Sequence, residues 1–292
     1  MPRPFRFGVN LTDPADGEAW RAKCRRAEEL GYDVILVPDH LGMMAPFPAL
    51  VAAAEVTERP KLGTFVLNAG FWNPALLARE IAGTDALVGG RLEIGLGAGY
   101  VREEHERAGL EFGSPGDRVR HLRHTVDELD RLLADDGYEP RGAQRPRPPL
   151  LIGGNGDRVL DLAAERAETV SFTGGRATEE GIKAHPAEAL EERVRAFRAL
   201  AARHRRDPEL NLLLQNVTVT DDRAAVADSL LGLAPDLTRD DLLAMPILAI
   251  GTVPEIVGQL RAQRERFGFS YLTVLEANLE AFGPVVAELS GE

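Results

Sequence analysis

Asp33-Val34-Ile35-Leu36-Val37-Pro38-Asp39-His40-Leu41 carries the clearest signal in the chain. The run of Val, Ile and Leu without polar alternation marks a strand buried on both faces, as in a parallel sheet covered by helices. Pro38 stops it, because proline has no N–H to donate to a ladder. Asp39 and His40 then stand where a parallel strand delivers its loop, the position from which α/β barrels and doubly wound sheets do their chemistry. His40 reads as a proton-handling side chain with Asp39 beside it. The competing reading is a turn whose polar residues merely cap the next segment.

Outward from this stretch the same unit recurs. Residues 5–10 read as a first strand, and 18–30 as a helix closed by Gly31. A helix follows over 47–58, then a third strand over 61–68. Pro74 occupies the first position of a helix that runs to Val88, and past Gly89-Gly90 residues 92–96 form a fourth strand. Residues 101–115 are a longer excursion with several glutamates. A long amphipathic helix spans 118–133, and 135–149, rich in Pro, Gly and Arg, reads as a surface connection. Strands at 149–152, 168–172, 210–220 and 271–275 complete the set. Helices are expected over 158–166, 188–205, 253–267 and 281–289, with helical pieces between 222 and 245. Strands and helices alternating at this length predict an α/β fold, one (β/α)8 TIM-type barrel over residues 1–292, with insertions at its C-terminal mouth. A doubly wound sheet in two lobes is the alternative; the lack of a Ser/Gly linker favours a single domain.

The chain has 292 residues, of which 44% are hydrophobic and 27% charged, so it is globular rather than disordered. Its formal net charge of −12 argues against a nucleic-acid partner, which would call for a basic stripe. One cysteine, Cys24, makes no intramolecular disulfide and reads as a small core filler, in keeping with a cytoplasmic protein. No apolar leader and no run of membrane-spanning length is present, so no membrane partner is expected.

A barrel gathers its strand ends at one mouth. Here they offer Asn10, Asp39-His40, Asn68, Gly97-Ala98-Gly99-Tyr100, Gly153-Gly154-Asn155-Gly156 and Thr173-Gly174-Gly175-Arg176, with Phe71 and Trp72 close by. Small backbone, flat apolar side chains and few charges suit a planar heterocycle better than a metal cage. Residues 153–156 follow a strand and open a helix, where unobstructed amides bind a phosphate; a tight turn needing glycine is the alternative. Gly95-Leu96-Gly97-Ala98-Gly99 has G-x-G-x-G spacing and is weak as a dinucleotide fingerprint, though it leaves room for a flat ring. His121 and His124, three apart on a helix and flanked by arginines, read as a solvated face, as do His105, His185 and His204. Arg91 is expected to pair with a carboxylate on a neighbouring helix rather than bind substrate; Arg176 is the better candidate to grip an anionic group, with a solvent-facing loop arginine as the commoner alternative. No His-x-His, G-x-S-x-G or Cys–His pattern points to a metallohydrolase or a covalent nucleophile.

Three blocks carry a family resemblance: Leu62-Gly63-Thr64-Phe65-Val66-Leu67-Asn68, Asn73-Pro74-Ala75-Leu76-Leu77-Ala78-Arg79-Glu80, and Gly89-Gly90-Arg91-Leu92-Glu93-Ile94-Gly95-Leu96-Gly97-Ala98-Gly99-Tyr100. With Leu151-Ile152-Gly153-Gly154 and Gly251-Thr252-Val253-Pro254-Glu255-Ile256-Val257, the chain resembles the luciferase-like flavin oxidoreductase superfamily along nearly its whole length. Asp39-His40 resembles the branch that uses the deazaflavin coenzyme F420; the flavin monooxygenase branch more often has Glu-His there. The resemblance implies an isoalloxazine ring at the mouth, its tail phosphate near Gly153, Gly154, Asn155 and Gly156, and a non-proline cis peptide near Phe65-Val66 beneath the ring. It places Asn68, Gly97, Ala98, Gly99 and Tyr100 around the coenzyme. Tyr100 stands where some sugar-phosphate dehydrogenases of the family have an acid, which puts a sugar phosphate in doubt.

The resulting expectation is hydride transfer between coenzyme F420 and a small organic substrate, with His40 and Asp39 as catalytic candidates. Asp39 is expected to meet the ring or bias the imidazole, and Asn10, Phe71, Trp72, Thr173 and Arg176 to line the substrate side. A reduced-FMN monooxygenase and a non-catalytic flavin-binding barrel are the alternatives. The resemblance also implies a homodimer.

Overall fold

The structure, a computed structural model, describes residues 3–178, 181–184, 186–231 and 237–292. Its strands are β1 (Arg6–Asn10), β2 (Val34–Val37), β3 (Lys61–Thr64), β4 (Leu67–Asn68), β5 (Leu92–Gly97), β6 (Leu150–Gly153), β7 (Thr169–Phe172), β8 (Gly175–Thr178), β9 (Gly181–Ala184), β10 (Glu209–Leu214), β11 (Asn216–Val219), β12 (Leu248–Gly251) and β13 (Phe269–Leu275). The main helices are α1 (Gly17–Glu29), α2 (Pro46–Ala54), α3 (Pro74–Leu87), α4 (Arg102–Arg107), α5 (Pro115–Leu133), α6 (Asp157–Arg166), α7 (Ala187–Arg203), α8 (Arg223–Leu231), α9 (Arg239–Ala244), α10 (Val253–Phe267) and α11 (Leu279–Leu289).

The large sheet runs β3-β2-β1-β13-β10-β7-β6-β5-β4, and β3 also pairs with β5, so it closes on itself. With β3 and β4 as two halves of one stave, this is the expected (β/α)8 barrel rather than a doubly wound sheet. Two cores follow from the alternation of side chains along each strand. Outward-facing residues such as Phe7, Val9, Ile35 and Val37 join the helices in one large core. Inward, Val34, Leu36, Phe65, Leu151 and Tyr271 fill the barrel. A polar chain crosses the interior, with Ser171 Oγ donating to Asn211 Oδ1 (2.7 Å) and Asn211 Nδ2 to Thr273 Oγ1 (2.8 Å).

The third strand is not continuous as the sequence suggests. Gly63 pairs with Glu93 and Leu67 with Leu96, four steps against three, so one extra residue bulges from this stave. The Phe65–Val66 peptide within the bulge is cis, where the family resemblance implies such a bond. Thr64 patches the interrupted ladder through its side chain: its Oγ1 accepts from Gly95 N and donates to Gly95 O, both at 2.9 Å. The neighbouring stave yields space. A Cβ on Gly95 would sit 2.1 Å from Thr64 O, and one on Gly97 2.8 Å from Val66 Cγ2.

Further expectations need correction. Residues 210–220 do not form one strand: β10 stays in the barrel, Gln215 N turns to Ile247 O (2.9 Å), and β11 leaves to pair with β12. The segment after β7, where the sequence reading has no strand, contains the hairpin β8–β9. Among the described residues Arg91 pairs with no carboxylate. It donates to the carbonyls of Ala54 (2.9 Å) and Pro60 (3.2 Å) and to Thr57 Oγ1, satisfying groups left open at the end of α2. Cys24 is fully buried, and burial pushes its thiol up to about 12, consistent with an inert filler. Among the described residues no helix is long and apolar enough to cross a membrane.

Candidate functional site

Parallel strands place their C-terminal ends on one rim, so residues far apart in sequence meet there. His40, in the connection after β2, faces Glu104 of α4: its Nδ1 lies 2.9 Å from Oε1 and 3.1 Å from Oε2. Both side chains are largely enclosed, with 28% of His40 and 13% of Glu104 exposed. A carboxylate at Nδ1 fixes the N–H on that nitrogen and leaves Nε2 as the free position of the neutral ring. Tyr100 meets the imidazole edge-on, with ring centroids 5.9 Å apart.

Asp39 does not orient its neighbour. Its Oδ2 accepts from Trp72 Nε1 (2.9 Å) and from the backbone N of Asn68 (3.2 Å), so it fixes the indole and the end of β4. Burial pushes this carboxyl above the ordinary range, opposed by those two hydrogen bonds. The acid that orients the imidazole is Glu104, for which the sequence reading had no role. The glutamates at 103, 104 and 106 look alike in sequence. The available signal was helical phase, since α4 turns Glu104 and the buried His105 toward the rim and leaves Glu103 and Glu106 exposed.

Histidines read as solvated divide three ways. His105 is buried, its Nδ1 donating to Val101 O (3.0 Å) and its ring packed between Phe71 and Phe112 at 5.0 Å each. His121 is half-buried, with Nε2 near Ala69 O (3.0 Å) and Trp72 O (3.3 Å), and so ties α5 to the segment after β4. His124 and His204 are exposed as expected, while His185 lies outside the described residues. Packing, not ligation, explains the first two, and no metal-holding cluster occurs among the described residues.

The remaining rim residues are placed as follows. Asn68 Oδ1 accepts from Gly70 N (3.1 Å) and packs on Gly99, whose φ of +74° admits no Cβ against it. Arg118 holds the Gly97-Ala98-Gly99-Tyr100 turn by donating from Nε to Gly99 O (3.1 Å) and lies 3.9 Å over the Phe112 ring. Gly97 and Gly153 both flank Val66, which supplies a packing reason for those glycines beside any ligand. Asn155 Nδ2 donates to Thr173 Oγ1 (2.9 Å), and Arg193 to Asn155 O (2.6 Å) and to Asp157 (2.8 Å). Gly156 caps α6 with no side-chain bond, in extended backbone, and a Cβ there would meet nothing within 4 Å. Asn10 Oδ1, at the end of β1, is buried without a hydrogen-bond partner among the described residues. Arg176 falls on β8, and its side chain lies outside the described residues.

Residues 4–268 match the family described as luciferase-like monooxygenase. Among curated proteins, the F420-dependent glucose-6-phosphate dehydrogenase of Kribbella flavida is 31% identical over 175 residues, 53% of this chain and 52% of that protein. The oxygenase component of the flavin-dependent trigonelline monooxygenase of Acinetobacter baylyi is 30% identical over 167 residues, 51% of this chain and 46% of that protein. The chain thus spans about half the length of these relatives. The monooxygenase RslO1 from Streptomyces bottropensis superposes with a TM-score of 0.77 at 19% identity, covering 97% of this chain and 99% of that one. An F420-dependent secondary alcohol dehydrogenase in complex with an F420–acetone adduct gives 0.75 at 16% identity, covering 98% of each chain. At these identities the likeness to the solved structures is one of fold.

Proposed function

The chain belongs to the luciferase-like monooxygenase family, and from that premise we propose that it is a coenzyme F420-dependent oxidoreductase acting on a small organic substrate. The observation that carries the reading is the His40–Glu104 pair, on the same rim as Asp39 and the Gly153–Gly156 turn. The Asp39-His40 sequence and the relatives named as F420-dependent glucose-6-phosphate dehydrogenases favour the deazaflavin.

The residues fit such a coenzyme on two counts. The bare N-terminus of α6, with open space at Gly156, suits a phosphate held by backbone amides. Asn10 Oδ1, buried with no partner among the described residues, offers an acceptor to a donor brought to the rim. When bound, a deazaflavin supplies a ring carbon that gives or takes a hydride. Glu104 keeps the imidazole oriented, and His40 Nε2 holds or releases the accompanying proton. Asp39 fixes Trp72, and Trp72, Phe71 and Tyr100 exclude water from the reacting position.

A reduced-FMN monooxygenase is the second reading, favoured by the relative named as a trigonelline monooxygenase. Parallel fluorescence titrations with oxidised F420 and FMN separate them. Tighter binding of F420 is expected; tighter binding of FMN, with oxygen uptake dependent on its reduced form, moves the protein to the second reading. Binding of neither overturns both.

A further inference from the structure

We infer that the substrate taken at this rim is uncharged and apolar, an aromatic or branched aliphatic small molecule rather than a carboxylate or a phosphate ester. This rests on the oxidoreductase reading and deepens it by naming the substrate class.

The first argument is charge. The imidazole of His40 has Glu104 at 2.9 Å and Asp39 as its chain neighbour, with the Asp39 carboxylate turned to Trp72 and Asn68. Neither acid pairs with a Lys or Arg side chain among the described residues, so the reacting position has acidic groups with no basic side chain against them. A carboxylate or phosphate brought there is repelled, and the effect is stronger in a partly desolvated site than in water.

The second is that the described arginines nearest His40 are engaged within the chain. Arg118 donates to the carbonyls of Gly99 (3.1 Å) and Gly113 (3.2 Å). Arg102 and Arg118 both lie over the Phe112 ring, at 4.6 and 3.9 Å. Arg193 is engaged by Asn155 O and Asp157. These three hold the chain itself, whereas Arg158, in the first turn of α6, is exposed beside the Gly153–Gly156 turn, on the side where a coenzyme phosphate rather than the substrate would meet it.

The third is apolar surface. Leu41 (39% exposed), Met43 (38%) and Tyr100 (60%) are large hydrophobic residues left open to solvent, and all three lie in the connections leaving β2 and β5 beside His40. Trp72 adds a flat wall fixed in place by Asp39. Open apolar side chains gathered at a polar reacting group are what an apolar ligand needs for desolvation and orientation.

The test is ligand binding, read by the emission of Trp72. The other tryptophan, Trp20, is buried between α1 and α2 with its Nε1 on Ala49 O. The protein, alone and with the coenzyme it binds, is titrated with benzyl alcohol, benzoate and glucose 6-phosphate. A saturable change with benzyl alcohol is expected, with both anions at least about tenfold weaker. Glu104→Gln should narrow that gap. Met43→Ser, at an exposed position, should weaken benzyl alcohol several-fold without changing coenzyme affinity. Equal or tighter binding of either anion, or no saturable change with benzyl alcohol in either state, overturns the inference. An anion preference with intact coenzyme binding sinks the substrate class alone. The apolar preference without coenzyme binding sinks the oxidoreductase reading alone.

Discussion

Glu104 brings both carboxylate oxygens within hydrogen-bonding distance of one nitrogen of His40, at 2.9 and 3.1 Å, across 64 residues of chain. An imidazole held this way has one tautomer and one ring orientation. Turnover should depend on the acid even though it sits behind the ring. Glu104→Gln is expected to lower kcat by about 10- to 100-fold while coenzyme affinity changes little. Steady-state kinetics beside a coenzyme titration checks this, and an unchanged kcat removes Glu104 from the mechanism.

Asp39 gives a pH signature in stability. Burial raises its carboxyl pKa in the folded protein, so the native state holds that proton to higher pH than the unfolded chain does. Native protein then binds more protons than unfolded protein, and this residue's contribution to stability falls as pH rises through the window above the ordinary carboxylate value. The carboxamide introduced by Asp39→Asn keeps an oxygen for Trp72 Nε1 and Asn68 N but does not titrate. The Tm difference between Asp39→Asn and the parent should therefore shift in favour of the variant from about pH 4 toward neutrality. A difference that stays flat across that range contradicts the assignment.

Two glycine-to-alanine changes should move stability in opposite directions. At Gly95 the added methyl meets the backbone oxygen of Thr64 at 2.1 Å, and neither stave can retreat without opening the barrel. A loss of about 3 kcal/mol or more is expected. At Gly258, inside α10, the methyl meets nothing within 4 Å. There the reduced freedom of the unfolded chain should stabilise by about 0.4–1 kcal/mol. Urea unfolding of the two variants reads both effects.

Gly156→Asp should separate stability from coenzyme binding. An aspartate N-cap accepts from first-turn amides and should add a few tenths of a kcal/mol to stability. The same carboxylate would occupy and repel a phosphate at the start of α6. Affinity for a phosphate-bearing coenzyme should fall by about tenfold or more. Unchanged affinity with raised Tm would move the phosphate elsewhere on the rim.

Much of the barrel was legible because its signals are local. The run from Val34 to Val37, Gly31 after α1 and Pro74 at the start of α3 each follow from the chemistry of a few adjacent residues. The bulge at Phe65–Val66 showed only through family resemblance. No local rule separates a strand glycine that yields to a neighbour's Val66 from one that yields to a ligand. The departure of β11 from the barrel was illegible for a similar reason, since its residues are as strand-forming as those of β10, and the partner β12 lies some thirty residues further on.

What the amino-acid order settled by itself was the alternation of strands and helices, and therefore the single rim on which Asn10, His40, Asn68 and Gly153 would meet. A closed parallel sheet sends every strand end to the same side. What only the folded chain decided was the pairing on that rim: Glu104, not Asp39, behind the imidazole, and Asp39 turned instead to Trp72. Residue type and spacing fix which face of the barrel a side chain reaches. Its hydrogen-bond partner is fixed by the angle at which α4 and the segment after β4 pack back over the mouth, and that angle is set by contacts such as His105 on Phe71 and Phe112 and His121 on the carbonyls of Ala69 and Trp72.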